Sequence, residues 1–269
     1  MGISRQAYYQ AGQRQLRRQS DARRAVELVS AYRIRQPRIG TRKLHCLISP
    51  ELRQAGITMG RDRLFAVLAD ERMLVPMRRA YHKTTQSHHR FRCHPNLLKS
   101  GPEQVRATAS EQVWVADITY LPTFEKDVFV SLVTDAYSRK VVGWSVDDNM
   151  RTTQVSQALK MALKGRKTQQ RLIHHSDRGV QYCSDEYQKI HAAHGITCSM
   201  TDGYDCYQNA LAERINGILK GEFLLNKPRD LKQARQMVAE SIAIYNEERP
   251  HLSLKMKTPD AVHRASLAV

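Results

Sequence analysis

Residues 112–148, "QVWVADITYLPTFEKDVFVSLVTDAYSRKVVGWSVDD", contain three short runs rich in β-branched and aromatic side chains, "VWVADITYLP", "DVFVSLVTD" and "KVVGWSVDD". The turn-like "TFEKD" and "AYSRK" separate them, so the pattern predicts three antiparallel strands in a meander. Working outward, "TTQVSQALKMALKGR" has the length and pattern of a helix, "RLIHHS" reads as a strand, "SDEYQKIHAAHG" as a helix and "ITCSM" as a strand. Helices are expected near 208–225 and 230–247. Strands first in a meander and then alternating with helices make an α/β fold, a mixed sheet covered by helices on both faces.

The 269 residues carry a formal net charge of +17, and it is unevenly spread. Residues 1–100 hold 21 Lys and Arg against 6 Asp and Glu, whereas residues 101–269 hold 22 against 20. A basic half joined to a nearly neutral one favours a polyanionic partner, because each phosphate neutralised releases condensed counterions. Nucleic acid is therefore the expected partner; the aromatics form no interfacial stripe that would favour an acidic membrane. No apolar run is long enough to span a bilayer and the first ten residues lack the apolar centre of a secretory signal, which predicts a cytoplasmic protein. The five cysteines, at 46, 93, 183, 198 and 206, include no C-x-x-C pair and are expected to be reduced.

Within the basic half, Leu44, Leu47, Ile48 and Leu52 recur at helical spacing, "AGITMG" interrupts, and Leu64, Val67, Leu68 and Leu74 resume. Two amphipathic helices across a glycine turn predict a helix-turn-helix whose second helix enters a major groove. That puts Arg61 and Arg63 at the reading end, with Arg42 and Lys43 as further candidate DNA contacts on the preceding helix. Upstream, "SDARRAVELVSAYRIRQP" predicts a helix capped by Ser20 or Asp21 and stopped at Pro37. Downstream, "PMRRAYHKTTQSHHRFRCHPN" reads as a basic linker; His88, His89, Cys93 and His94 within it match no structural zinc spacing. The expected organisation is a helical DNA-binding region over 1–75, a basic linker over 76–105 and a catalytic core with a helical tail over 106–269.

Three carboxylates stand out in the neutral half. Asp117 is the only charge in an otherwise core-like strand, so it must be paired, neutralised or bound to a cation. Asp177, in "HHSDRGVQYCSD" (174–185), sits where a strand ends, a position that gathers ligands in open sheets and that also suits a plain turn aspartate. Glu213 shares one helical face with Asn209, Asn216, Gly217 and Lys220, while Leu211, Ile215, Ile218 and Leu219 take the other. Glu222 falls on the apolar side, where the packed face is expected to end. Three carboxylates delivered from a strand, a strand end and a helix can hold two divalent ions about 3.5–4 Å apart for in-line phosphoryl displacement. Oxygen donors and a phosphate substrate favour Mg²⁺, with Mn²⁺ as a substitute. A Ser-His-Asp hydrolase built on His174, His175, Ser176 and Asp177 is excluded, since adjacent strand residues alternate faces and no G-x-S-x-G elbow is present.

"WVADITYLP", "HHSDRGVQYCS" and "NALAERINGILKGEF" resemble the three carboxylate blocks of the DDE integrase core of OrfB-type insertion-sequence transposases, and "YNEERPHLSLKMKTP" resembles their C-terminal signature. The 36 positions from Asp177 to Glu213 match the spacing of that group. The resemblance implies a ribonuclease-H-like integrase core with a mixed five-stranded sheet, preceded by an all-α helix-turn-helix region. It implies Asp117, Asp177 and Glu213 as ligands of two Mg²⁺ ions, and Asn209 and Lys220 as DNA neighbours. One departure is Gln208, where relatives carry Asp before Asn-Ala. The implied reaction is hydrolysis at the element's ends followed by attack of the freed 3′-hydroxyl on another phosphodiester. Implied partners are double-stranded element-end and target DNA, further copies of the chain on that DNA, and an OrfA protein or fusion. A catalytically inactive DNA-binding regulator stands as the alternative.

Overall fold

The computed structural model describes residues 4–76, 94–202 and 209–268. Most of the expected linker, including His88, His89 and Cys93, lies outside the described residues, as do Cys206 and Gln208. The chain divides into two units, residues 1–79 and 80–269.

The first unit is helical: α1 (Arg5–Arg35), α2 (Thr41–Gln54) and α3 (Arg61–Asp70). Ala25, Leu28 and Val29 of α1 pack against Leu44, Ile48 and Leu52 of α2 and Leu64 and Leu68 of α3, with Ile39 and Met59 from the connections. The expected turn between α2 and α3 is a left-handed cap. Gly56 (φ 71°) donates to Arg53 O at 2.9 Å and Ile57 to Leu52 O at 2.8 Å, a pairing that needs a positive φ at the glycine. The start of α1 corrects the sequence expectation. Ser4, not Ser20 or Asp21, caps it, its hydroxyl accepting from the Ala7 amide at 3.2 Å, and the helix runs through residues 20 and 21. Residues 5–20 pack on almost nothing, so hydrophobic periodicity carries no signal for them, while their Gln, Ala and Arg content favours helix. The helix does end at Arg35, ahead of Pro37.

The second unit contains β1 (Val113–Pro122), β2 (Asp127–Asp135), β3 (Val141–Asp147), α4 (Thr152–Gly165), β4 (Ile173–Ser176), α5 (Val180–Cys183), α6 (Asp185–Ala193), β5 (Thr197–Met200), α7 (Ala210–Ile218), α8 (Leu231–Glu247) and α9 (Pro259–Leu267). A π turn over Leu219–Phe223 continues α7. The five strands form one sheet in the order β3-β2-β1-β4-β5; β1, β2 and β3 are antiparallel neighbours, and β4 runs parallel to both β1 and β5. Because side chains alternate across a strand, Trp114 and Ala116 of β1 join α4, α5 and α6 on one face, whereas Leu121 joins α7 and α8 on the other. The mixed five-stranded sheet with helices on both faces is the architecture expected from the sequence.

At Gly143, β3 and α4 approach so closely that a Cβ would lie against the Ala158 carbonyl oxygen and 2.8 Å from the Ala162 nitrogen. Those neighbours are helix backbone and cannot step aside. Gly143→Ala should therefore destabilise the protein by about 3 kcal/mol, at the upper end of overpacking costs, read as a lower urea midpoint at unchanged slope.

Candidate active site

The position of the first two carboxylates follows from strand register. β1 and β4 pair in parallel at Val113↔Ile173, Trp114↔His174 and Val115↔His175, a constant offset of 60. Asp117 stands two residues past the last of these pairs and Asp177 one residue past the end of β4, so the parallel pairing brings the two carboxylates to the same cleft. β4 stops at Ser176 while β1 continues to Pro122, so the sheet loses a neighbour at the two aspartates and a cleft of about 540 Å³ opens there. Asp117, Thr119, Tyr120, Phe129, Met150, Asp177, Gly179 and Tyr182 are among its lining residues.

The Asp177 carboxylate accepts the Gly179 amide at 2.9 Å, which fixes the turn after β4. A Cβ on Gly179 would come within 3.0 Å of that same oxygen, so glycine keeps the carboxylate uncrowded. Arg178 reaches away, donating to Thr201 O at 2.7 Å. The neighbouring polar residues have partners within the fold: His175 Nδ1 is 2.8 Å from Ser199 Oγ, and Ser176 donates to the Asp177 carbonyl at 3.0 Å. His174, fully buried, packs among Tyr182, Tyr187 and His191.

Helix α7, which carries the third carboxylate, lies against β1, and Glu213 is not among the residues that line the cleft. Asn209, at its start, donates to the Ala116 carbonyl at 3.0 Å, and Asn216 donates to Asp117 Oδ2 at 2.7 Å. Both asparagines are buried, so the polar side of α7 is docked on the sheet at both ends. Glu213, one turn before Asn216, is exposed. Burial pushes the Asp117 carboxyl up to about 7; the Asp177 charge adds to this, the Asn216 amide opposes it and the Glu213 charge makes a smaller addition. Asp117 keeps some accessible surface because it faces the cleft, with protein on its other sides. Among the described residues no three His, Cys, Asp or Glu side chains are gathered into a closed ligand set.

Lys220 lies in the π turn with its Nζ 4.2 Å from the centroid of Tyr120, a cleft residue. Burial lowers its pKa and the charge of Asp117 opposes that shift. Asn216 and Tyr120 are the site residues whose roles the sequence left unassigned; the three-residue step from Glu213 to Asn216 was the available signal.

In the helical unit Arg61 is exposed at the start of α3 and pairs with Asp62 at 2.8 Å. Arg63 turns back to α1, 3.2 Å from Asp21 and 3.3 Å from Arg18 O. Arg42 is exposed on α2 and Lys43 is half-buried.

The integrase core domain family matches residues 107–206, and a second integrase core domain family matches 194–259. An insertion element IS600 protein of 31 kDa from Shigella sonnei is 36% identical over 264 residues, 97% of this chain and 94% of that one. The chain belongs to the integrase-core family of insertion-sequence transposases. Transposase InsF of insertion sequence IS3A from Escherichia coli is 34% identical over 175 residues, 65% of this chain and 60% of that protein. A simian T-cell lymphotropic virus intasome shares the fold, with a TM-score of 0.52 and 19% identity over 83% of this chain and 74% of that one. No helix among the described residues is long and apolar enough to cross a membrane.

Proposed function

We propose that this transposase-family chain cuts DNA at transposon ends in a metal-dependent hydrolysis and joins the freed 3′-hydroxyl to a second phosphodiester. The observation that carries this reading is that Asp117 and Asp177 line one cleft, with α7 hydrogen-bonded over Asp117. The donor set fits a hard divalent cation: all three carboxylates offer oxygen, and Asp117 is held in a place where its own charge is disfavoured without one. Asp117, Asp177 and Glu213 would hold Mg²⁺, as two ions, with Mn²⁺ as a substitute. Bound there, the ions supply activation of the attacking hydroxyl and neutralisation of charge on the leaving oxygen.

The chain's own residues do the positioning. Asn216 fixes one Asp117 oxygen, the Ile118 amide also bonds to that carboxyl, and Gly179 orients Asp177. Lys220, steadied over the cleft residue Tyr120, sets a positive charge beside the cleft where a phosphate oxygen can meet it. The helical unit (1–75) docks on double-stranded DNA, with Arg61 reading bases and Arg42 and Lys43 on the backbone, while 76–105 follows the phosphates and 106–269 does the chemistry. Arg63, tied to Asp21, would have to exchange that partner for DNA. Synapsis of two ends calls for more than one copy of the chain, acting in the bacterial cytoplasm.

The test is an end-labelled duplex carrying the element's terminus, incubated with the full chain and Mg²⁺. A product with a free 3′-hydroxyl, followed by a joined product on target DNA, is expected. A chain that binds the duplex and never cuts it is the regulator instead.

A further inference from the structure

Glu222 does not end a packed face, as its helical position suggested; half-buried itself, it pairs with a buried arginine. Arg249, 3% exposed, donates from Nε to Glu222 Oε2 at 2.8 Å and from Nη2 to Glu222 Oε1 at 2.6 Å, a two-pronged contact. Its third nitrogen, Nη1, donates to His251 Nε2 at 2.9 Å. The His251 ring stands edge-on to Tyr245, with centroids 5.2 Å apart. Tyr245 in turn donates to the Arg139 carbonyl at 2.8 Å, and Asn246 exchanges hydrogen bonds with both backbone groups of Val141. The end of α8 and the residues after it thus grip the β2–β3 hairpin on one side and Glu222 on the other.

What Glu222 belongs to gives this grip its meaning. It sits in the π turn Leu219–Phe223 together with Lys220, directly continuing the helix that carries Glu213 and Asn216. The turn closes by the Leu224 amide donating to Leu219 O at 2.8 Å. A π turn is rare and rotates the side chains that follow it out of α-helical phase. Such a pair is a poor source of net stability, but the buried Arg249 guanidinium is costly to leave without its carboxylate, so the two-pronged contact holds Glu222 in place.

We infer that Glu222 and Arg249 are positioning residues, a clamp that fixes the π turn so that Lys220 lies over Tyr120. This rests on the phosphoryl-transfer reading above, and one arm of its test does not.

Full-length Glu222→Gln and Arg249→Lys are compared with wild type and with the apolar pair Glu222→Leu/Arg249→Met. Both single variants should lower the single-turnover cutting rate on end DNA by about 10- to 100-fold, with DNA affinity changed by less than about threefold. The apolar pair, with no charge left alone, should recover the thermal midpoint and not the rate. The second arm measures acylation of Lys220 by limiting acetic anhydride, mapped by mass spectrometry without DNA or metal. Lys220 should react several-fold faster in all three variants than in wild type. Wild-type labelling and wild-type rates in the folded single variants overturn the clamp, as does recovery of rate and labelling by the apolar pair, which would make the contact merely structural. If wild type itself never cuts, the transposase reading falls, and the labelling arm alone then decides whether the clamp places Lys220.

Discussion

Asp177→Asn is expected to lower cutting and joining of end DNA by at least about 10³-fold while leaving DNA affinity within about threefold. The substitution removes one negative charge and almost no volume. The Asn carbonyl oxygen can still accept the Gly179 amide, so the turn after β4 and the packing of α5 should persist. Arg178 keeps its bond to Thr201 O, and the basic helical unit is untouched. What disappears is half of the paired negative charge at the cleft mouth, which the reading assigns to cation binding. Gel-shift titration measures affinity and denaturing electrophoresis measures cutting on the same samples. Retained cutting would remove Asp177 from the site; lost binding would mean that the turn had collapsed.

The second large effect couples stability to pH. The Asp117 carboxyl is raised from 3.8 to about 7, chiefly by burial and then by Asp177. A carboxyl raised on folding holds a proton in the folded chain that the unfolded chain has already released. Its contribution to stability is therefore fully present below pH 3.8 and is lost as pH rises through about 7. Asp117→Asn mimics the protonated form at every pH, and its amide oxygen can still accept from Asn216. In metal-free buffer at pH 8 the variant should be more stable than wild type by about 2–4 kcal/mol, and the gap should close near pH 4. Excess Mg²⁺ should narrow the gap at pH 8 by stabilising wild type alone. On the proposed reading the variant should also be inactive, stability and activity moving in opposite directions. Urea unfolding at the two pH values, with and without Mg²⁺, measures this; equal stability at pH 8 would show Asp117 to be ordinarily solvated.

The sheet was legible because its strands advertise themselves. "VWVADITYLP", "DVFVSLVTD" and "KVVGWSVDD" combine β-branched and aromatic residues with clear turns, and each is a strand of the meander. Asp117 drew notice for the same reason, as a lone charge in an apolar run. Less was readable where the signal is long-range or missing. The first half of α1 buries little, so no periodicity marks it, and Ser20 and Asp21 resemble a cap although the helix passes through them. Asp21 is spent on Arg63, 42 residues away. Glu222 looked like the end of a packed face because its partner lies 27 residues on, in a stretch whose side chains announce no strand or helix of their own. The π turn left no mark either, since it is imposed by packing and not by the propensities of "LKGEF".

The central claim is that Asp117, Asp177 and Glu213 jointly hold divalent cations, and the most direct measurement is anomalous X-ray scattering from crystals of the chain bound to end DNA and soaked in Mn²⁺. The account predicts anomalous peaks in the cleft between Asp117 and Asp177, with Glu213 drawn in as a ligand, and none in crystals of Asp177→Asn. Peaks confined to other sites, or equal peaks in the variant, would contradict it.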